Sequence, residues 1–205
     1  MNQEKYKDDL KDIKDMMSRS SRFISLSGLS GVSAGIVALI GAYAANKVVY
    51  SKQIVDGYRN ILLTHEMVYE LIGIALVTLV VALTLGIFFT TRKAKKNKQK
   101  LWDTQTQRLL INLLIPLVAG GLLCLILLFK GFIGLVAPLT LIFFGLALVN
   151  ASKYTLTEIR SLGIAEIFLG LLATQFIGQG LLFWAIGFGV LNIAYGIIMQ
   201  MRYGS

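Results

Sequence analysis

Residues 109–149 read LLINLLIPLVAGGLLCLILLF-KG-FIGLVAPLTLIFFGLALV, a stretch in which Lys130 is the only charged side chain. The two apolar runs, Leu109–Phe129 and Phe132–Val149, approach the ~20 residues that a helix needs to cross a hydrocarbon core about 30 Å thick. Lys130-Gly131 leaves room only for a tight turn between them, so the stretch reads as a transmembrane helical hairpin. The same criterion finds four more runs. Phe23–Ala45 and Leu181–Met201 are free of charge, Val68–Phe89 contains only Glu70, and Leu162–Ile177 contains only Glu166. The predicted fold is therefore all-α and polytopic. It has six transmembrane helices, at about 23–45, 68–89, 109–129, 132–149, 162–177 and 181–201, built as three helical hairpins.

Composition agrees with that class. Of 205 residues, 56% are apolar or aromatic and 15% are charged, with a mean hydropathy of +0.70; soluble domains carry about 25% charged residues. A single cysteine, Cys124, rules out an internal disulfide. The first apolar run is 23 residues long and follows a charged segment of 22, whereas the apolar part of a cleavable signal peptide has 7–15. The net charge of +9 sits in short blocks between apolar runs, a pattern of membrane orientation that makes nucleic-acid binding unnecessary. With six spans, 16 of the 20 Lys and Arg residues fall on one side and Lys47, Lys52, Arg59 and Lys130 on the other. Positively charged loops stay in the cytoplasm, which puts both termini there. One span more or fewer would place basic blocks on both sides.

Between the spans, residues 1–22 place Tyr6, Leu10, Ile13 and Met17 at helical spacing among charges. An amphipathic helix of this kind either lies under the bilayer or forms a short seam with itself or a protein partner. The outer segment 46–67 has a weak helical periodicity. The cytoplasmic loop 90–108 holds Arg92, Lys93, Lys95, Lys96, Lys98 and Lys100, six cations in nine positions. Such a cluster is a topology signal and a contact for anionic lipid headgroups, worth about 1 kcal/mol per basic residue near the surface. Thr155-Leu-Thr-Glu158 matches a capping box and puts the start of the fifth helix near Leu156. At an offset of 44 residues, Leu127-Leu128, Phe132-Ile133-Gly134 and Phe144-Gly145 align with Leu171-Leu172, Phe176-Ile177-Gly178 and Phe188-Gly189. Duplication of a hairpin and chance similarity between apolar runs both account for that match.

Lipid gives no hydrophobic gain for helix–helix contact, so small residues and polar contacts mark the packing faces. The first span carries Ser27, Gly31, Ala34, Gly35, Ala38 and Ala42 along one ridge. The fifth carries Gly163, Glu166, Gly170 and Ala173, and the sixth Ala185, Gly189, Asn192 and Gly196. Pro116 and Pro138 each remove a helical hydrogen bond and are expected to distort their helices locally. Glu166 is the one carboxyl in the deeper membrane region, and an ionisable residue there is a candidate functional site. A turn centred on Gln179 puts Asn192 level with Glu166, and a turn at Gly131 puts Asn112 level with Asn150. Each of these two hairpins would then hold one polar clasp toward its cytoplasmic end, read either as a register-fixing bond or as part of a ligand path, with snorkelling of Glu166 to the cytoplasmic surface as the remaining reading.

Other chemistry is absent from the pattern. His65-Glu66-Met-Val-Tyr69 has Tyr where a zinc-protease helix needs its second histidine, and His65 is the only histidine in the chain. No metal site, cofactor or catalytic set is implied, and an enzyme is not expected. Arg19–Gly31 (RSSRFISLSGLSG) with Ala34–Gly41 (AGIVALIG), and Phe183–Gly189 (FWAIGFG) with Tyr195-Gly196, resemble a family of uncharacterised bacterial multi-spanning membrane proteins. That resemblance implies a bacterial inner-membrane location and transfers no activity. The tandem hairpins are also similar, in architecture alone, to the acid-resistance type of small six-span membrane protein. The expectation is a scaffold, sensor or accessory subunit working through protein and lipid contacts, with a small transporter or channel using Glu166 as the alternative.

Overall fold

The computed structural model describes residues 27–51, 65–96, 104–156 and 158–203. Among these there is no strand. In chain order the helices are α1 (Gly28–Ser51), α2 (His65–Lys96), α3 (Thr104–Phe129), α4 (Ile133–Ala151) and α5 (Glu158–Gln175). A final continuous helix has three parts: α6 (Gly180–Trp184), a π-helical stretch (Ala185–Leu191) and α7 (Asn192–Tyr203). Five of these helices are long and apolar enough to cross a membrane: Gly28–Val48, Glu66–Lys96, Thr104–Phe129, Ile133–Tyr154 and Gly180–Arg202. The remaining one, α5, has 18 residues and carries Glu158, Arg160 and Glu166. The expected amphipathic helix 1–22, most of the outer segment 46–67, and Lys98 and Lys100 lie outside the described residues.

The turn read at Lys130-Gly131 has a definite geometry. Gly131 has φ +84°, its N–H donates to the Leu128 carbonyl at 3.1 Å, and the Phe132 N–H donates to the Leu127 carbonyl at 2.9 Å. This is a Schellman motif with glycine in the left-handed position, where a side chain would be strained. The second turn uses Gly178 at φ +102°, with the Gln179 N–H donating to the Phe176 carbonyl at 3.0 Å. Pro116 and Pro138 both lie inside continuous helices, so neither ends its span. α5 is described from Glu158, two residues beyond the start that the capping box implies.

Packing departs from three self-contained hairpins. α1 pairs with α2, and α3 with α4, as the hairpin reading expects. The third hairpin is different: α5 has its main contact with α4, whereas α7 and the π-helical stretch pack on α1. The reason is visible in the glycines. A methyl group placed on Gly35 would lie 2.6 Å from the Gly189 carbonyl oxygen, and one on Gly196 would lie 2.6 Å from that of Gly28. On the other side, a methyl on Gly163 would lie 2.7 Å from the Gly145 carbonyl oxygen. α1 and α7 therefore approach backbone to backbone, as do α4 and α5. α6 completes the assembly by packing on α4, with the Phe188 ring of the π-helical stretch tilted against Phe144 of α4 and against Trp184, at 4.8 Å each.

These distances divide the glycines into two groups. At Gly73 and Gly86 of α2 an added methyl meets nothing within 4 Å. Gly86→Ala should be neutral or stabilise by up to about 1 kcal/mol through helix propensity. Gly35→Ala and Gly163→Ala should each destabilise by about 1–3 kcal/mol, because the opposing backbone must move. Thermal unfolding of the detergent-solubilised protein, followed by size-exclusion chromatography, distinguishes the two outcomes.

Candidate functional site

Glu166 sits on the glycine-bearing face of α5, four residues before Gly170. A methyl on Gly170 would lie 2.9 Å from the Pro138 carbonyl oxygen of α4, so the close approach at Gly170 holds that face against α4. The Glu166 side chain is fully buried. It meets the final helix at Gly187, the third residue of the π-helical stretch: a methyl there would lie 2.5 Å from Glu166 Oε2 and would also collide with Leu141. Leu169 flanks the same point at 3.2 Å, and Leu141 has no exposed surface. Glycine at 187 is thus what lets a carboxyl group and a leucine occupy one crossing.

Asn192, the first residue of α7, closes the site. Its Nδ2 donates to Glu166 Oε1 at 3.5 Å and to the Gly187 carbonyl at 3.4 Å. Both bonds are long against the usual 2.7–3.2 Å, so the amide is shared between two acceptors. Glu166 Oε2 is buried without a hydrogen-bond partner among the described residues. Burying a polar atom in this way costs free energy. The site combines that atom with a π-helical stretch, a feature that often accompanies functional sites in helices.

The second polar pair takes a different form. Asn112 and Asn150 are level, as the hairpin arithmetic requires, but the two amides do not bond each other. Asn150 Nδ2 donates to the Asn112 backbone carbonyl at 2.9 Å, and Asn112 Nδ2 donates to the Arg108 carbonyl of its own helix at 2.8 Å. The clasp is therefore side chain to backbone. Cys124 adds a weak bond of the same kind, with Sγ 3.8 Å from the Val136 carbonyl across α3 and α4.

The predicted packing glycines fall in two places. Gly31, Gly35, Gly189 and Gly196 meet at the α1 crossing with the final helix, where a methyl on Gly31 would lie 3.1 Å from Gly196 Cα. Gly170 lies in the α4–α5 crossing. Gly28 joins the first crossing and Gly145 the second, while Gly187 of the final helix faces Leu141, Glu166 and Leu169; none of the three was singled out as a packing residue, since glycine in an apolar run carries no mark of what faces it.

Of the basic cluster, Arg92, Lys95 and Lys96 are exposed and Lys93 is half-buried at the end of α2. α2 has 32 residues, about 48 Å at 1.5 Å per residue, well beyond a hydrocarbon core. The same end of the molecule holds Arg108, Lys153, Arg160 and Arg202, with Glu158 the only acidic residue there among those described. Arg202 Nη1 donates to Glu158 Oε1 at 3.1 Å, joining α7 to α5, a pair the spacing did not suggest. The opposite end carries Lys47 and Lys130 against Glu66 and Glu70. No protein-family model, curated protein or solved structure matches the chain.

Asn192→Ala should cost about 1–3 kcal/mol, because it strips Glu166 Oε1 of its amide donor. Asn150→Ala should cost about 0.6 kcal/mol, the average for an interhelical bond in a bilayer. Equilibrium unfolding in mixed micelles gives both values, and a Glu166→Gln/Asn192→Ala double-mutant cycle gives their coupling.

Proposed function

We propose that the chain is a six-span protein of the bacterial inner membrane, with both termini cytoplasmic, that acts as a scaffold, sensor or accessory subunit. The observation that carries this reading is the charge asymmetry of the described residues. One end has eight basic residues and one acidic, and the other has two of each. The resemblance of the first and sixth spans to bacterial multi-spanning proteins supports the location. α5 serves as the fifth span, because 18 residues lie within the range of about 17–25 that cross a bilayer.

In this reading α2 runs out of the membrane and presents Arg92, Lys95 and Lys96 to anionic headgroups at the cytoplasmic surface. Residues 1–22 and the first span offer contacts for a protein partner or a second copy. Neither contact needs a cofactor or a catalytic group. The enclosure of Glu166 by Leu141, Leu169 and Gly187 favours a packing role over a wide aqueous path. A second reading, a small transporter or channel using Glu166 with Asn192, draws its support from the unpartnered Oε2 and the adjoining π-helical stretch.

Deleting residues 1–20 should abolish recovery of a co-purifying partner while membrane insertion persists; unchanged recovery counts against the scaffold reading. Single cysteines placed at Lys95 and Lys130 in a Cys124→Ser background test the orientation. A membrane-impermeant thiol reagent should label position 130 in intact spheroplasts and position 95 only after lysis. For the second reading, liposome flux should be lost in Glu166→Gln, and equal flux at equal stability would sink it.

A further inference from the structure

The final helix belongs to two packing groups at once. Its outer part, α6, lies chiefly on α4, and Phe188 at the middle of the π-helical stretch reaches Phe144 of the same helix. Its inner part, α7, lies on α1 through Gly28, Gly31 and Gly196. The change of partner falls within Ala185–Leu191, the one stretch of this helix that is π-helical. One group is then α1 and α2 with α7 and most of the π-helical stretch, and the other is α3, α4 and α5 with α6, which also touches α1. From these observations we infer that the protein is a two-body device hinged at Ala185–Leu191 and latched at its basic end by Arg202–Glu158.

Three features fit a hinge at that point. A π-helical stretch interrupts the regular i→i+4 ladder and is a place where a helix changes direction or register. Gly187, inside it, has no side chain to resist movement against Leu141 and Glu166. Asn192 shares its amide between the Gly187 carbonyl and Glu166 through bonds of 3.4 and 3.5 Å, which are long enough to exchange without much loss. Hinges of this kind are a few residues that absorb the change while packed bodies on either side stay intact. Here the packed bodies are the two glycine crossings, α1 with α7 and α4 with α5.

The latch is weak in the sense a gate requires. Arg202 is 64% exposed while Glu158 is 18% exposed, so solvent reaches the pair from the arginine side, and ion pairs open to solvent shift a two-state equilibrium by roughly 1.5- to 5-fold. Opening would part the basic ends of α5 and α7 while leaving α1 against α2.

Spin labels on cysteines in a Cys124→Ser background, in nanodiscs, read this out by pulsed electron resonance. Arg160 with Met201 reports the basic end between the two bodies, Tyr43 with Ile177 reports the opposite end, and Ile36 with Leu83 reports α1 against α2. Because the first pair of labels flanks the latch, neither latch residue is itself labelled. Arg202→Glu should raise the long-distance population of the first pair on the order of 5-fold and leave the Ile36–Leu83 distance unchanged. The double variant Glu158→Arg/Arg202→Glu should return it. An unchanged Arg160–Met201 distribution overturns the inference, as does failure of the double variant to restore it. Equal widening at Tyr43–Ile177 also overturns it, since the bodies would then separate without a hinge. Should Arg202→Glu lose the Ile36–Leu83 signal through misfolding, the chain with native latch residues is measured at about 0.05 and about 1 M salt. Screening of an exposed pair should raise the long-distance population, and a salt-independent distribution overturns the inference.

Discussion

Backbone-to-backbone contact at glycine is the constraint on which the rest of this molecule depends. In lipid, apolar side chains gain nothing from meeting each other rather than acyl chains, so helices associate where their surfaces fit closely. Gly35 against the Gly189 carbonyl, Gly196 against that of Gly28, and Gly163 against that of Gly145 give that fit. The consequences run outward. α2 touches the bundle chiefly through α1 and α3 chiefly through α4, and both leave long apolar faces exposed, from Leu76 to Phe88 and from Ile111 to Phe129. Those faces are what a helix shows to lipid.

Glu166 follows from the same constraint. The α4–α5 crossing is tight enough that the carboxyl group projects past it onto the final helix, and only a glycine at 187 admits it. A regular α-helix through 185–191 would carry α7 on at a different rotation from the one that aims Asn192 at Glu166 and Gly196 at α1. The π-helical stretch, which turns through a smaller angle per residue than an α-helix, supplies that difference in rotation. The buried carboxyl, the interrupted helix and the change of packing partner are thus one arrangement, with the cost of a poorly bonded Oε2 offset by two glycine crossings satisfied together.

Much of this was legible in the residues. Span length and absence of charge located the apolar helices, and Lys130-Gly131 marked a turn that only glycine completes at φ +84°. Counting outward from Gln179 put Asn192 level with Glu166, because two antiparallel helices of equal rise stay in step for three or four turns. The choice of partner was not legible. The ridges of α1, α5 and the final helix are equally small, and nothing in a single ridge states which other it meets. The divergence of α5 from α7 and the π-helical stretch arise from that choice, so they escaped a reading made span by span. Asn112 and Asn150 show a finer limit. Level placement was correct, yet a free backbone carbonyl competes with a side-chain amide as acceptor, and here it won.

The 44-residue repeat takes on a different meaning in this light. The turn glycines Gly131 and Gly178 are 47 positions apart, three more than the sequence offset. What the offset does preserve is a packing role. Gly145 of α4 lies against α5, and its counterpart Gly189 lies against α1, each on a helix that meets its glycine-bearing antiparallel neighbour. Phe144 and Phe188, the residues just before them, meet each other at 4.8 Å between the two groups. The offset thus relates two Phe-Gly steps: in each the glycine builds a crossing, and the two phenylalanines join one crossing to the other. Aromatic contact thus runs from Trp184 to Phe188 and glycine contact from Gly189 to Gly196, so that the two meet inside the π-helical stretch. This is the asymmetry a helix needs if one half is to stay with α4 while the other moves with α1.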